Sequence, residues 1–529
     1  MGEAPRVERW DEGLELYRHD ALRKTRTPGR VVSNEPNCVN LSDLVRPASM
    51  LGMYTHTYCL EFDFLATMLP ILDHPHAARD VPLFIGQDIK MDPLLSLACS
   101  RAGIDVSSRS NHLTMVQETI VAPVLTKLYH ELVGSNYHAI HPKCPGCAHS
   151  KVFVVKYPGW LLVAITSANT MRLDMELCDN LWYIQSFPET TASSSFRPSR
   201  VRSEFEQILL YHLNELECPD HFLSTITSRS YDYSLAHDDS VRLVVSHPGT
   251  VDPEWFDRLA IGRLGAIARG WIADNERDKV ELEFCCASVG LLGDGWVQGV
   301  DRLLRGFEFC AKEEKKKEPR GGTDRSAGSQ GEATGVGTRD WTIVYPAKRQ
   351  VHEECPSEVR ESAVNLSCKY NTSTWDSTRD TIKRMFHLYE AKEPGRLFHQ
   401  KTILWTVRPG STPSSSSSSS SPDHCPTPSR DPQLKMLYLG SHNLSKAAWG
   451  SPGYSSETKR GQSKVRSVAN FELGVCIRGS KVLDLLERGS PSTWDDVVTW
   501  KRPAEQYREG DVPWVSSWWA RQGNHSLEG

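Results

Sequence analysis

The chain of 529 residues sets 61 Lys and Arg against 66 Asp and Glu, a formal charge of −5, with 39% apolar and 24% charged residues. That length exceeds what one hydrophobic core organises and predicts two large domains. The mildly acidic balance excludes a uniformly basic protein but leaves room for a local basic groove, and no apolar run long enough to span a membrane is present.

In chain order, "MGEAPRVERWDEGLELYRHD" lacks the apolar core of a signal peptide, and Arg6 stands where a myristoylation signal wants Ser or Thr. Residues 18–30, "RHDALRKTRTPGR", fit a nuclear import signal, phosphate contacts or a solvated leader, and residues 1–35 are expected to be a flexible tail. "DVPLFIG" (80–86), "RLVVSH" (242–247) and "WTIVYP" (341–346) have the composition of buried strands, and "SEFEQILLYHLNEL" (203–216) has helical apolar spacing. This alternation predicts α/β architecture, with domains over 36–240 and 241–529. Segments 312–340, charged and Gly-rich, and 408–432, a Ser/Pro tract, have no apolar periodicity and are expected to be disordered surface insertions. The fourteen cysteines are scattered, so reduced thiols in a cytosolic or nuclear compartment are expected.

A repeat organises the rest. "HSKVFVVKYPGWLLVAITSAN" starts with His149 and Lys151, continues as a strand, a Pro-Gly turn and a return strand, and ends on Asn169. "HQKTILWTV", the Ser/Pro tract and "LKMLYLGSHN" repeat that order with His399, Lys401 and Asn443. Lys and Asn are 18 positions apart in the first copy and 42 in the second, the excess being the insertion at the hairpin tip. In each copy His and Lys are two apart and share a strand face. The competing triplet His141-Pro142-Lys143 runs into Cys-Pro-Gly-Cys, which cannot continue as a strand interior, so His141 is expected in a loop. Cys144, Cys147 and His149 lack a fourth ligand at usual spacing, so no metal site is expected.

Two such histidines suit a two-step displacement at phosphorus, in which one imidazole attacks and the other protonates the leaving group and then activates water. Lysines and asparagines can hold the nonbridging oxygens, so no cofactor is called for. A general nuclease or a phospholipid hydrolase would use the same chemistry.

The duplicated His-x-Lys resembles the phospholipase D superfamily, although the Asp five residues after each Lys is replaced by Lys156 and Thr406. The Asn residues, "SHNLSKAAWG" and "NFELGV" are more similar to the tyrosyl-DNA phosphodiesterase family, as are "CLEFDFLATMLP", "HPGTV", "CASVGLLG", "IVYP" and "DVPWV". The resemblance implies two similar phospholipase D-like domains, each a mixed sheet flanked by helices, related by a pseudo-twofold. It implies hydrolysis of the 3′-phosphotyrosyl bond left by trapped topoisomerase I, on single-stranded or nicked DNA, by a nuclear monomer. His149 would be the nucleophile and His399 the general acid and base. Lys151, Lys401, Asn169 and Asn443 would bind phosphate, Glu472 would orient a catalytic imidazole, and Ser288 and Ser445 would touch the DNA backbone. The family carries Gln eleven residues after the first Asn; this chain reads "CDNLW", which offers Asp179 or Asn180 instead.

Overall fold

The computed structural model describes residues 21–25, 38–45, 49–69, 81–105, 113–190, 202–233, 239–309, 341–355, 360, 363–408, 432–454, 463–486 and 493–516. Most of both expected insertions, 312–340 and 408–432, lies outside the described residues.

Two large sheets carry the fold. The first uses β1 (Ala21–Thr25), β2 (Cys38–Val39), β3 (Gly52–Thr57), β4 (Leu83–Gln87), β5 (Tyr137–Ile140), β6 (Val152–Tyr157), β7 (Trp160–Thr166) and β8 (Leu181–Pro188), in the order β2-β1-β8-β7-β6-β3-β4-β5. The second uses β9 (Val241–Ser246), β10 (Val280–Cys286), β11 (Trp341–Val344), β12 (Phe386–His387), β13 (Lys401–Val407), β14 (Gln433–Gly440) and β15 (Glu472–Arg478), in the order β9-β15-β14-β13-β10-β11-β12. Strand directions match along both orders. β6 and β13 each sit between an antiparallel return strand and an antiparallel partner, β3 or β10, that continues into two parallel strands. The internal repeat read from the sequence is therefore a repeat of whole sheets.

Local chemistry explains the central hairpins. β6 is rich in β-branched and aromatic residues and buried on both faces, as expected of a strand covered on both sides. It turns through Pro158 and Gly159, whose φ of 84° a side chain would disfavour. β13 and β14 stay paired out to Val407 and Gln433, on either side of the Ser/Pro tract.

Helices cover the sheets. α1 (Met115–Leu132) starts with a capping box between Thr114 and Gln117 and buries Val121, Leu125, Leu128 and Tyr129. α2 (Glu204–Glu215), expected over 203–216, is capped by Ser203 and buries Phe205, Leu209, His212 and Leu213. Each fully buried Leu contributes about 2 kcal/mol. Among the described residues no helix is long and apolar enough to cross a membrane.

The expected tail needs one correction. Residues 21–25 are a strand, not part of a flexible leader: Ala21–Lys24 pair with Leu181–Ile184, Trp182 Nε1 donates to Thr25 Oγ1, and Arg23 Nη1 donates to Leu485 O. The physical reason is the otherwise open edge of β8, whose backbone groups the segment satisfies.

Candidate active site

Each His-x-Lys stands at the start of a central strand, and each histidine is anchored to the opposite half. His149 N–H donates to Phe471 O at 2.9 Å, and His399 N–H donates to Asp179 O at 3.0 Å. Phe471 lies one residue and Asp179 two residues before the matching strands of the two sheets, so the anchors are reciprocal. They bring His149, Lys151, His399 and Lys401 into one buried cluster, all four within electrostatic reach of one another.

His149 Nδ1 lies 2.8 Å from Glu472 Oε2. Glu472 is fully buried and also accepts from Ser441 Oγ and from Asn470 Nδ2, the latter at 3.0 Å. Burial raises its pKa, while His442, Lys151 and these donors pull it back. With Nδ1 engaged by Glu472, the neutral ring keeps its lone pair on Nε2. Burial, together with Lys151, Lys401 and His399, holds the His149 pKa well below the ordinary value, so the ring rests neutral.

His399 has the same arrangement with a different partner. Its Nδ1 lies 2.8 Å from Asp174 Oδ2, a fully buried carboxylate on the π-helical turn Leu173–Leu177. Burial pushes the Asp174 pKa up, but His399, Lys401 and the Asn169 N–H outweigh it and the net shift is downward, so the carboxylate is charged. Burial brings His399 down to about 4 despite Asp174, which acts upward. Lys401 Nζ lies 3.1 Å from Nε2 of His399.

The lysines are fully buried. Lys151 Nζ donates to His149 O at 2.6 Å, and Lys401 Nζ donates to His399 O at 2.5 Å. Burial and mutual repulsion hold Lys151 well below its ordinary pKa, and burial lowers Lys401 to about 8 despite the two carboxylates. An anion between them relieves both penalties, which makes the cluster an anion site. Asn169 is buried beside it, its Oδ1 without a hydrogen-bond partner among the described residues. Asn443 Oδ1 accepts from Ser288 N at 2.9 Å, which commits the amide oxygen and leaves the NH2 group to donate.

Ser445 caps the short helix α3 (Lys446–Trp449), its Oγ accepting from Ala448 N at 3.3 Å. Gly290 and Leu444 join Ser288 to the same segment through the Leu444 N to Ser288 O and Gly290 N to Leu444 O bonds. His141, expected in a loop, follows β5 and is buried with Nε2 2.8 Å from Asp92. Cys144 Sγ donates to Ala469 O, and among the described residues no three His, Cys, Asp or Glu side chains gather as for a metal ion.

Neither Asp179 nor Asn180, the two candidates for the family's Gln position, is the side-chain partner of His399 Nδ1, which is Asp174. Asp179 pairs with Arg396 at 2.7 Å and accepts from Tyr389 Oη, and Asn180 binds Ser167 and the Asp174 backbone. Sequence reasoning missed Asp174 and also Tyr58, whose ring centroid lies 5.1 Å from that of His149 with Lys151 Nζ 5.7 Å away. Five residues after Asn169, in a turn with no apolar period, Asp174 carries no spacing signal.

Comparisons with known proteins identify the family and the fold. The family model described as tyrosyl-DNA phosphodiesterase matches residues 21–506. Tyrosyl-DNA phosphodiesterase 1 of Arabidopsis thaliana is 23% identical over 365 residues, 66% of this chain and 50% of that protein, so the chain spans about half the length of this relative. Crystal structures of the yeast tyrosyl-DNA phosphodiesterase and of one of its mutants share the fold, with TM-scores of 0.56 and 0.57 at 13% identity. The alignments cover 94% of this chain and 99% and 98% of those.

Proposed function

This chain belongs to the tyrosyl-DNA phosphodiesterase family, and from that premise we propose that it hydrolyses the phosphodiester joining a DNA 3′ end to a tyrosine, the adduct left by trapped topoisomerase I. The observation that carries the proposal is the pair of buried His-x-Lys sets in one cluster, each histidine held at Nδ1 by a carboxylate.

In the first step His149 Nε2 attacks phosphorus, the P–O bond to the tyrosine breaks, and its electron pair leaves on the phenolic oxygen, which takes a proton from His399, whose protonated form the bound phosphodiester anion favours. In the second step neutral His399 removes a proton from water. The oxygen attacks phosphorus, the P–N bond breaks, and its pair returns to Nε2, leaving a 3′-phosphate. Lys151, Lys401, Asn169 and Asn443 hold the nonbridging oxygens where charge develops. Ser288 positions the Asn443 amide through its backbone N–H, and Ser288 and Ser445 would contact the DNA backbone. Both His-x-Lys sets come from one chain, which supports a monomer as the working form, and action on chromosomal DNA adducts would place it in the nucleus.

The test is cleavage of a 3′-phosphotyrosyl oligonucleotide in the presence of EDTA. Release of tyrosine and a 3′-phosphate is the expected result. Turnover of phospholipid vesicles, or internal cutting of DNA, without action on the phosphotyrosyl end would replace the reading.

A further inference from the structure

The two sheets can be compared residue by residue around the site. In the second half Leu473 N–H donates to Ser441 Oγ at 2.9 Å, and Ser441 Oγ donates to Glu472. In the first half Leu181 N–H donates to Ser167 Oγ at 3.3 Å, and Ser167 Oγ donates to Asn180 Oδ1 at 2.7 Å. Asn180 is therefore the symmetry counterpart of Glu472. It does not serve the second histidine, because its Nδ2 donates to the backbone oxygen of Asp174 at 2.8 Å.

We infer that Asp174 is the positioning residue for His399, and that the carboxylate of this half is carried on the π-helical turn instead of the strand, with Asn180 pinning that turn. Three donors hold it: His399 Nδ1 and Asn169 N–H each lie 2.8 Å from Oδ2, and Asn365 Nδ2 lies 2.6 Å from Oδ1. Asn365 comes from the other half of the chain, so the turn is clamped from both sides. The arrangement keeps the His399 proton on Nδ1 and aims Nε2 at the anion site. Its negative charge stabilises the imidazolium that forms when His399 takes a proton from water, so Asp174 acts mainly in the second step.

The inference rests on the reaction proposed above, and Asp174→Asn tests it. The amide oxygen can still accept from His399 and Asn169, while the new NH2 meets Asn365 Nδ2, so the substitution removes the charge and the Asn365 hydrogen bond while retaining shape. With 3′-phosphotyrosyl DNA at pH 7, breakdown of the protein–DNA adduct is expected to slow by roughly a hundredfold, the range of general-base contributions. Adduct formation should change only severalfold, so adduct accumulates. The acid limb of the second step should move to lower pH, because the carboxylate that raises the His399 pKa is gone. Asn365→Ala leaves the carboxylate and removes one donor that quiets its charge, so its acid limb should move to higher pH. It also stands in if the Asp174 variant fails to fold.

A pH titration of the His399 ring by NMR in the substrate-free protein separates failure of this inference from failure of the proposed reaction. Lowering of that pKa by Asp174→Asn and raising by Asn365→Ala support the dyad even if phosphotyrosyl DNA is not the substrate. An unmoved His399 titration, or both variants shifting it the same way, overturns the inference.

Discussion

Replacing Glu472 by Gln keeps the side chain's shape and removes its charge, and the local hydrogen bonds determine the cost. Oε2 accepts from His149 and Ser441, and Oε1 accepts from Asn470 Nδ2. A Gln oxygen placed toward His149 puts the new NH2 against the Asn470 NH2. Asn470 cannot flip to relieve this, because its Oδ1 accepts from Cys147 N at 3.0 Å. That buried donor–donor conflict costs about 1–3 kcal/mol of stability. The opposite orientation presents NH2 to His149 Nδ1, moves the ring proton to Nε2 and occupies the lone pair that attacks phosphorus. A carboxylate-to-amide change behind a catalytic histidine costs roughly 10⁴ in kcat where a tautomer is spoiled in this way, and a fall of roughly 10²–10⁴ is expected here. The assay is single-turnover adduct formation on 3′-phosphotyrosyl DNA, alongside a urea unfolding midpoint. Adduct formation within threefold of the parent in a folded variant would refute the assignment of Glu472 to the nucleophile.

His399→Ala should form adduct readily, since a phenol of pKa about 10 departs with little proton assistance, and should then retain it on His149. His149→Ala should leave the substrate whole, and the reverse pattern on a denaturing gel would exchange the two roles. Burial lowers His56 and His247 to about 4, below the unfolded value of about 6.5. The unfolded chain thus binds more protons between those pH values, and stability should fall as pH drops through the window by roughly 1.4 kcal/mol per unit per histidine; unfolding midpoints unchanged from pH 7 to pH 5 would contradict this. Deleting residues 411–430 should leave turnover intact, because β13 places about 20 Å of strand between the hairpin tip and His399. The shorter loop lowers the closure cost by about 1–2 kcal/mol, and a folded deletion variant with most of its activity lost would show that the tract touches substrate.

The hairpins at 152–166 and 401–440 could be read from the sequence because their signals are local: β-branched runs, a Pro-Gly turn and paired His-x-Lys triplets. The helix at 204–215 could be read from its apolar period and its Ser203 cap. β1 was missed because "ALRKT" has no burial pattern of its own; it is ordered by the edge of β8, which lies far along the chain. The equivalence of Asn180 with Glu472 holds in register, but a contact cannot be inferred from register alone. The turn at 173–177 lifts Asp174 past Asn180 to reach His399, a displacement set by three-dimensional packing.

The reciprocal anchors also bear on how the protein is made. His149 takes its backbone acceptor from Phe471 and its side-chain acceptor from Glu472, both more than three hundred residues downstream. A ribosome that has released the entire first sheet has therefore released an imidazole with no fixed tautomer and no partner for its proton. On the proposed reaction, the nucleophile's carboxylate partner joins it only after residue 472 has left the exit tunnel. If the proposed reaction holds, partial translation products that stop short of Glu472 carry the first His-x-Lys without the carboxylate that holds His149 Nδ1.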